Sequence, residues 1–461
     1  MNKISVILTA LMVMVLFSMS VVAQELWSLE KCINYAFEHN LQIKQSELDV
    51  ASSNEDLHQS KLNILPSLNG SFSHNFGWGR SYDNAQGIFI NENTQQNFIS
   101  ASSNLTLFEG LTQVNDVRKK QLDYLAKKYD SDKIKNDISL NIAASYLLIL
   151  FNIELVNNAQ RQVDITQEQI ERTKKQVEAG AMARGSLYDI QAQGANEEAN
   201  LVNAKNKLML AYLDLMQLLD LEASEEFDIE KPQLEITGKP DLLPPQIIYD
   251  KSLTLMPEIK SAEFRVKSAE RAIAISRGYK SPRFYATGTY GTNYSDQIGI
   301  NPYQPISETN PMKSFDQQWL DNRNGTLLLG ISIPIFNGFQ ASTNVRKSKI
   351  YKETLELNLE LEKNKLRKNI ESAYADALAA YQTYIARRKA VESYRESFNY
   401  TQEKFNVGMV NSTDFNVSKI QLSNAESDLV SAKYDFIFKT KILDFYLGKK
   451  LTLTDIASIQ E

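Results

Sequence analysis

Cysteine is nearly absent: Cys32 is the only one in 461 residues. That excludes an intrachain disulfide framework. The thiol sits in an apolar-periodic segment after Ser28-Leu29-Glu30 and reads as a buried core residue. Histidine is scarce too, with only His39, His58 and His74. Without cysteine support these do not make a metal site. The methionines Met182, Met209, Met216, Met256, Met312 and Met409 are scattered, so no soft-metal path is expected. A formal net charge of -6 without a clustered basic face argues against nucleic acid as a partner. No phosphate-binding glycine loop and no catalytic constellation can be found, so neither an enzyme nor a cofactor is expected. Only 11 prolines and 18 glycines punctuate the chain, which points to long unbroken elements.

Long apolar runs are also few. One lies at the start, where Lys3 precedes Ile4–Phe17 and Val21-Val22-Ala23 offers a small-residue cleavage site. Residues 1–23 therefore read as a secretory signal peptide. Gln24, not cysteine, follows the cleavage site, so no lipid anchor is expected there. No later stretch reads as a transmembrane helix.

What is present is a duplication. Leu105–Leu221 lies on Ile333–Lys449 without a gap, bringing Tyr146 onto Tyr374, Gly180 onto Gly408 and Gln193 onto Gln421. A second register puts Ile43 on Ile259 and Pro66 on Pro282. Residues 24–225 thus form a first repeat and 246–450 a second, joined by 226–245 and followed by a tail, 451–461. The connector and the tail are too irregular to assign.

Leu111–Ala179 contains neither glycine nor proline, and Phe339–Val407 matches it. As a helix, each run would reach about 100 Å at ~1.5 Å per residue. Ile142, Ile149, Val156, Val163, Ile170 and Val177 recur every seventh position, as do Ile370, Ala377, Tyr384, Val391, Phe398 and Phe405. In the first copy, small or polar residues follow three positions later: Ser145, Asn152, Ala159, Thr166 and Thr173. The seven-residue repeat resumes past Gly180 with Leu187, Gly194, Leu201, Leu208 and Leu215. Past Gly408 it resumes with Phe415, Leu422, Leu429, Phe436 and Leu443. Such repeats predict antiparallel coiled-coil hairpins, over about 111–220 and 339–448, with a glycine at each tip.

Between the helical blocks the period changes to two. Leu68, Phe72, Phe76 and Trp78 alternate with serines and asparagines, as do Ile99, Ala101, Leu105 and Leu107. In the second copy Phe284, Ala286, Tyr290 and Tyr294 share one parity, as do Leu327, Leu329, Ile331, Ile333 and Ile335. His74, Leu328 and Pro334 break the pattern. Two strand pairs are predicted, about 67–108 and 283–336, with polar loops at Arg80–Gln95 and Ser295–Asn322. One apolar and one polar face per strand is the transmembrane β pattern. Trp78, Tyr294, Phe108 and Phe336 suit an interfacial aromatic girdle.

Four strands do not close a barrel, and open edges in lipid leave backbone groups unpaired. Several chains must then share one barrel. Two would supply eight strands, an interior filled by side chains, whereas three would supply twelve and leave a passage.

Over nearly all of the mature chain the sequence resembles the TolC family of outer-membrane efflux proteins, with three cues. These are Ser28–Asn40 with Lys61–Leu68, the strand exit Ile331–Gly338, and the tip pair Val177–Gly180 and Phe405–Gly408. The resemblance implies a homotrimer whose twelve-stranded barrel sits in the outer membrane and continues as a periplasmic α-helical barrel. It implies partners as well: outer-membrane lipid, a periplasmic adaptor, and an inner-membrane efflux transporter or ABC exporter that supplies the energy. It places the periplasmic gate at Asp414, six residues past the second tip glycine, with Ser186 at the matching first-copy position. A second family aspartate falls on Val417 and a basic latch residue on Val410, so the salt-bridged latch is missing. Arg184 and Asp189 are candidate substitutes. Alternatively, Asp414 caps the helix that starts at Asn411-Ser412-Thr413-Asp414. The tips Ala179, Gly180, Ala181, Met182 and Ala183, with Val407, Gly408, Met409 and Val410, are the candidate adaptor-docking surface. Three functions remain open: an efflux exit duct, the outlet of a type I protein secretion system, and a non-conducting periplasmic coiled-coil scaffold.

Overall fold

The computed structural model describes residues 26–453 apart from 84–86, 223–226, 233, 235, 237, 239–241, 300, 302, 303 and 305. The expected signal peptide and most of the expected tail lie outside the described residues. In chain order the elements are α1 (Leu29–His39), α2 (Leu41–Leu62), β1 (Ser67–Gly77), β2 (Arg80–Asp83), β3 (Ile88–Asn91), β4 (Thr94–Glu109), α3 (Thr112–Glu178) and α4 (Arg184–Leu219). Then follow α5 (Pro245–Leu255), α6 (Pro257–Gly278), β5 (Arg283–Ser295), α7 (Phe315–Asp321), β6 (Asn324–Ser332), α8 (Gln340–Asn406) and α9 (Ser412–Tyr446).

The duplication extends to the helix ends. Helices α3 and α8 have 67 residues each, and under the register of the repeat Thr112 falls on Gln340, Glu178 on Asn406 and Arg184 on Ser412. Both copies also leave the strands in one way. Gly110-Leu111 and Gly338-Phe339 are consecutive residues with φ between 57° and 62°. Leucine and phenylalanine rarely occupy this region, and its use at both equivalent sites marks a required turn. At Gly110 a Cβ would sit 2.7 Å from Gly278 Cα and 2.8 Å from Ser281 Cβ, so the turn also needs glycine for close approach.

The described chain divides into two compact units, and neither is a sequence repeat. One takes the described residues up to 48, those within 129–259 and those from 361 onward; the other takes those within 49–128 and 260–360. Each draws on both copies because both packing and strand pairing cross the repeat boundary.

In the first unit, Leu29, Cys32, Ile33 and Ala36 of α1 pack with Ile142, Tyr146 and Ile149 of α3 and Leu215 and Leu219 of α4. Asn40 joins α1 to α2. Its Oδ1 accepts from Gln42 N and Ile43 N at 2.9 and 3.2 Å, and its Nδ2 donates to Leu218 O at 2.8 Å. The Tyr146 hydroxyl donates towards two carbonyls, Trp27 O at 3.1 Å and Glu230 O at 2.8 Å, beside the parallel bridge Trp27–Ile229. Burial pushes that phenol far above its ordinary range, so it stays a donor. Cys32 is a core residue as expected, and burial raises its thiol to about 12. One expectation changes. Helix α3 does hold an 18-residue stretch of mean hydropathy 1.7, long and apolar enough to cross a membrane. Half of it is buried inside the chain, where Ile138, Ile142, Ala143, Tyr146, Leu147, Ile149 and Leu150 build the core.

The second unit is organised by an antiparallel four-stranded sheet in the order β1-β4-β5-β6. The central pairing, β4 with β5, joins the two copies, with Ala101 opposite Tyr290 and Leu105 opposite Ala286. The two polar loops are not wholly irregular. Strands β2 and β3 form a hairpin in the first, with Arg80 opposite Asn91 and the Arg80 guanidinium over the Phe89 ring. Helix α7 forms in the second, where Ser314 and Gln317 make a reciprocal capping box. Strand β6 ends at Ser332, so Ile333, Pro334 and Ile335 lie beyond the sheet. The proline therefore removes no ladder hydrogen bond.

Candidate functional site: strand faces and hairpin tips

Register assigns the paired strand side chains to two faces, with Phe98 and Tyr285 as exceptions on the polar side and Gln95, Asn97, Ser103 and Thr292 as exceptions on the apolar side. Residues opposite one another across a ladder share a face, and neighbours in sequence alternate. One face carries Leu68, Phe72, Phe76, Ile99, Ala101, Leu105, Phe284, Ala286, Tyr290, Leu327, Leu329 and Ile331. The other carries Ser71, Ser73, Asn75, Ser100, Ser102, Asn104, Thr287, Thr289, Asn293 and Thr326. The large apolar residues are exposed, Leu327 at 74% and Phe72 at 67%. The polar face is stitched across strands, Ser71 Oγ to Ser100 Oγ at 2.8 Å and Thr287 Oγ1 to Asn104 Oδ1 at 2.9 Å.

The sequence exceptions resolve in two ways. His74 lies on the apolar face, where it bonds to Asn97, its direct cross-strand partner, and meets Phe76 edge-on. Leu328 faces the polar side, opposite Thr287. A bulge between Thr106 and Phe108 brings Phe108 opposite Phe284, and their rings meet at 5.9 Å. Aromatic groups thus sit near both sheet ends, Phe108 and Phe284 at one and Tyr294 and Trp78 at the other. Among the described residues, strands β1 and β6 each have only one neighbour in the sheet.

The two hairpin tips share one geometry. Gly180 has φ 72°, its N–H donates to Val177 O at 3.0 Å, and Ala181 N–H donates to Gln176 O at 2.8 Å. Gly408 has φ 77°, with Gly408 N–H to Phe405 O at 3.0 Å and Met409 N–H to Lys404 O at 2.9 Å. This is the Schellman closure, which needs a left-handed residue. We expect Gly408→Val to destabilise the turn by about 1–2 kcal/mol, whereas Gly408→Asn is tolerated because asparagine visits that region. Hydrogen exchange at 404–412 reads the effect, and equal protection in both variants would refute it.

At the tips, Ala179, Gly180, Ala181, Ala183, Val407, Gly408 and Met409 are exposed and Val410 is half-buried. Met182 departs from the expected docking surface. It packs against a cluster of Ile190, Phe398, Phe405 and Phe415. Asp414 does not cap its helix. Asn411 does, accepting from Asp414 N at 2.8 Å. The Asp414 carboxylate is left exposed in the first helical turn, where the helix dipole favours it, and it makes no ion pair among the described residues. Ser186 is half-buried, and its N–H donates to Ala183 O at 3.1 Å; no side chain caps α4. Arg184 and Asp189 make no ion pair with each other. Just behind the tips, the hairpins are also joined by a hydrogen bond from Arg172 Nη1 to Asn406 Oδ1 at 2.6 Å.

A stronger link went unread in the sequence. Lys419 of α9 inserts against α3 and α4. Its Nζ donates to Glu197 Oε1 and Oε2 at 3.0 and 3.1 Å, to Gln162 O at 3.1 Å and to Thr166 Oγ1. Thr166 also donates to Glu197 Oε2, and Gln193 Nε2 donates to Oε1 at 2.9 Å. The two charged side chains are only 3% and 8% exposed. Burial pulls the Lys419 ammonium below the usual lysine range, opposed by Glu197. The duplication hid this pair, since Lys419 falls on Gln191 and Glu197 on Ala425. The signal was a lysine between heptad positions Phe415 and Leu422. Nearby, Asn152, Asn158, Thr166, Gln169 and Thr173 are buried on α3, while Val156, Val163, Ile170 and Val177 are only partly so. Towards the tip, the first-copy seam is polar.

The outer membrane efflux protein family model matches residues 32–220 and 248–449. Outer membrane protein TolC of Salmonella enteritidis is 22% identical over 418 residues, 89% of this chain and 79% of that protein. Among solved structures, the transmembrane channel protein CusC superposes with a TM-score of 0.75 at 16% identity, covering 94% of this chain and 96% of that one. The outer membrane protein VceC of Vibrio cholerae gives 0.72 at 15% identity, covering 91% and 96%.

Proposed function

The chain belongs to the outer membrane efflux protein family, and from that membership we propose that three copies form one exit duct through the outer membrane. The protein is an outer-membrane efflux channel. Proteins of this kind work with a periplasmic adaptor and an inner-membrane transporter, which provides the driving force.

The observation that carries the trimer is the open sheet. Its apolar face is exposed, its opposite face is largely polar, and among the described residues β1 and β6 each lack a second neighbour. In lipid those edges must pair, and pairing between copies satisfies them. Three sheets give twelve strands, wide enough to leave a passage lined by the serine, threonine and asparagine face. A second surface supports association. Tyr188, Val202 and Met209 are exposed on α4 at multiples of seven residues, an apolar stripe that neighbouring helices would cover. Outer-membrane lipid would meet the apolar strand face, and residues 1–23 would act as the export signal.

The tips would meet the adaptor. Val407 and Met409, 69% and 78% exposed, offer apolar rather than charged recognition. Asp414 would ring the narrow periplasmic entrance, three unpaired carboxylates selecting cations. The inter-hairpin contacts include the buried Lys419–Glu197 pair, the Arg172–Asn406 hydrogen bond and the apolar cluster around Ile190 and Phe405; together they would hold the closed entrance in place of the family's charged latch.

Planar-bilayer recordings test this reading. The purified protein is expected to conduct, and Asp414→Asn to lower cation preference severalfold at low salt, where carboxylate rings act most strongly. Folded protein that never conducts would sink the duct. Unchanged selectivity in the variant would remove Asp414 from the gate.

A further inference from the structure

The loop between β5 and β6 folds onto the apolar face of the sheet. Tyr294 on that face meets the Phe315 ring at 5.4 Å, and Thr292 Oγ1, also on that face, donates to Trp319 O at 3.0 Å. Gln318, wholly buried, fixes the helix to the strand end. Its Oε1 accepts from Ser295 N at 2.9 Å and its Nε2 donates to Ser295 O at 2.8 Å. Helix α7 is therefore held in place on the sheet.

Beneath it lies a groove of about 500 Å³, lined by Gly70, Phe72, Ile99, Ala101, Tyr290 and Trp319. The depression has a local cause. Gly70, Ala101 and Tyr290 lie side by side across three strands, and a Cβ at Gly70 would touch nothing. Two small residues beside aromatic and branched neighbours leave a channel on an otherwise apolar surface. Its volume falls in the range of small-ligand sites, roughly 300–1,000 Å³.

Arg323 adds charge to the groove lining. Its Nε donates to Leu320 O at 2.9 Å, and among the described residues no carboxylate pairs with its guanidinium. The nearest acidic residue in sequence, Asp321, is taken by Lys313. An apolar channel with an unpaired guanidinium beside it fits an acyl chain carrying an anionic headgroup whose oxygens accept from the guanidinium, as a phosphate does. The guanidinium can meet phosphate oxygens in a fork, which a lysine does less well.

We propose that this groove binds an outer-leaflet lipid, its acyl chain lying between Trp319 and the strands and its phosphate on Arg323. The occupant is an acylated lipid with a phosphate headgroup, for which bisphosphorylated lipid A is the probe. The proposal rests on the reading that the apolar strand face meets lipid, and it adds a specific seat to that face.

The test uses the intact protein, stripped of lipid in neutral detergent and titrated with bisphosphorylated lipid A or with the same lipid after phosphate removal. Native mass spectrometry counts bound lipid. The phosphorylated form is expected to bind, and Arg323→Gln or loss of the phosphates to weaken binding about tenfold, as for loss of one charge-assisted bidentate contact. Gly70→Trp fills the channel and is expected to abolish binding. Gly288→Trp, on the same face at another open glycine, is expected to leave it unchanged. Equal binding by wild type and Arg323→Gln, or equal binding of both lipid forms, overturns the site. Vesicle insertion and conductance are measured beside it: if all variants insert and conduct while lipid binding does not discriminate, the seat is wrong and the membrane reading stands. Failure of the wild type to insert overturns both.

Discussion

Leu329→Arg should prevent assembly into membranes, whereas Leu328→Arg, one residue earlier, should leave it nearly intact. Leu329 lies on the apolar face opposite Ala286 and is 70% exposed; Leu328 lies on the polar face opposite Thr287 and is 51% exposed. Exposure therefore does not separate them. What separates them is which solvent each would meet. An arginine facing hydrocarbon near the midplane costs roughly 2–4 kcal/mol in a transmembrane barrel, and a trimer would incur the cost three times. On the polar face the same side chain meets water and the Asn104 and Thr287 side chains. The assembled fraction after refolding into lipid vesicles, read by gel mobility with and without heating, measures both. Two variants that assemble alike would remove the distinction between the faces. A worse outcome for Leu328→Arg would reverse it.

Lys419→Met should loosen the helices behind the hairpin tips. The substitution leaves the Glu197 carboxylate buried, with only Thr166 and Gln193 as donors. Removing one member of a buried pair typically costs about 3–5 kcal/mol. The double variant Lys419→Met with Glu197→Leu should recover most of the loss, because apolar replacement of both partners removes two desolvation penalties. Hydrogen exchange in the neighbouring turns of α3, α4 and α9 is the suitable readout, since a protein of this size need not unfold in two states. A single-variant cost under roughly 1 kcal/mol would mean the pair behaves as an exposed one.

The pH dependence follows from the same burial. Burial depresses the folded pKa of Lys419 below its unfolded value. Between the two values the unfolded chain holds more protons, so this group's contribution to stability grows as pH rises through that window. The rise is expected on the alkaline side, below the ordinary lysine value, and should vanish in Lys419→Met.

Much of the fold could be read from periodicity. The seven-residue repeat located both helical hairpins, and the duplication register reproduces the helix ends, Glu178 on Asn406 and Arg184 on Ser412. Gly180 and Gly408 were legible as tips because few other residues close a helix at positive φ. Alternation separated the strand faces before any pairing was known. Other features were not legible. Periodicity within the polar loops is too short to announce β2, β3 or α7, whose order depends on contacts such as Gln318 with Ser295. Helix-start composition at Asn411–Asp414 did not say which side chain caps, and the answer frees Asp414. The Lys419–Glu197 pair joins residues far apart in sequence and has no counterpart in the other repeat.

The sequence by itself determined that two copies of one plan exist, where each long helix turns, and which strand residues share a face, because these follow from local periods of seven and two. Only the tertiary structure decided that the two copies share one sheet through β4 and β5, that a loop helix lies on its apolar side, and that a buried lysine ties the hairpins. Those depend on which distant segments meet, and desolvation and hydrogen-bond geometry are set only after they do.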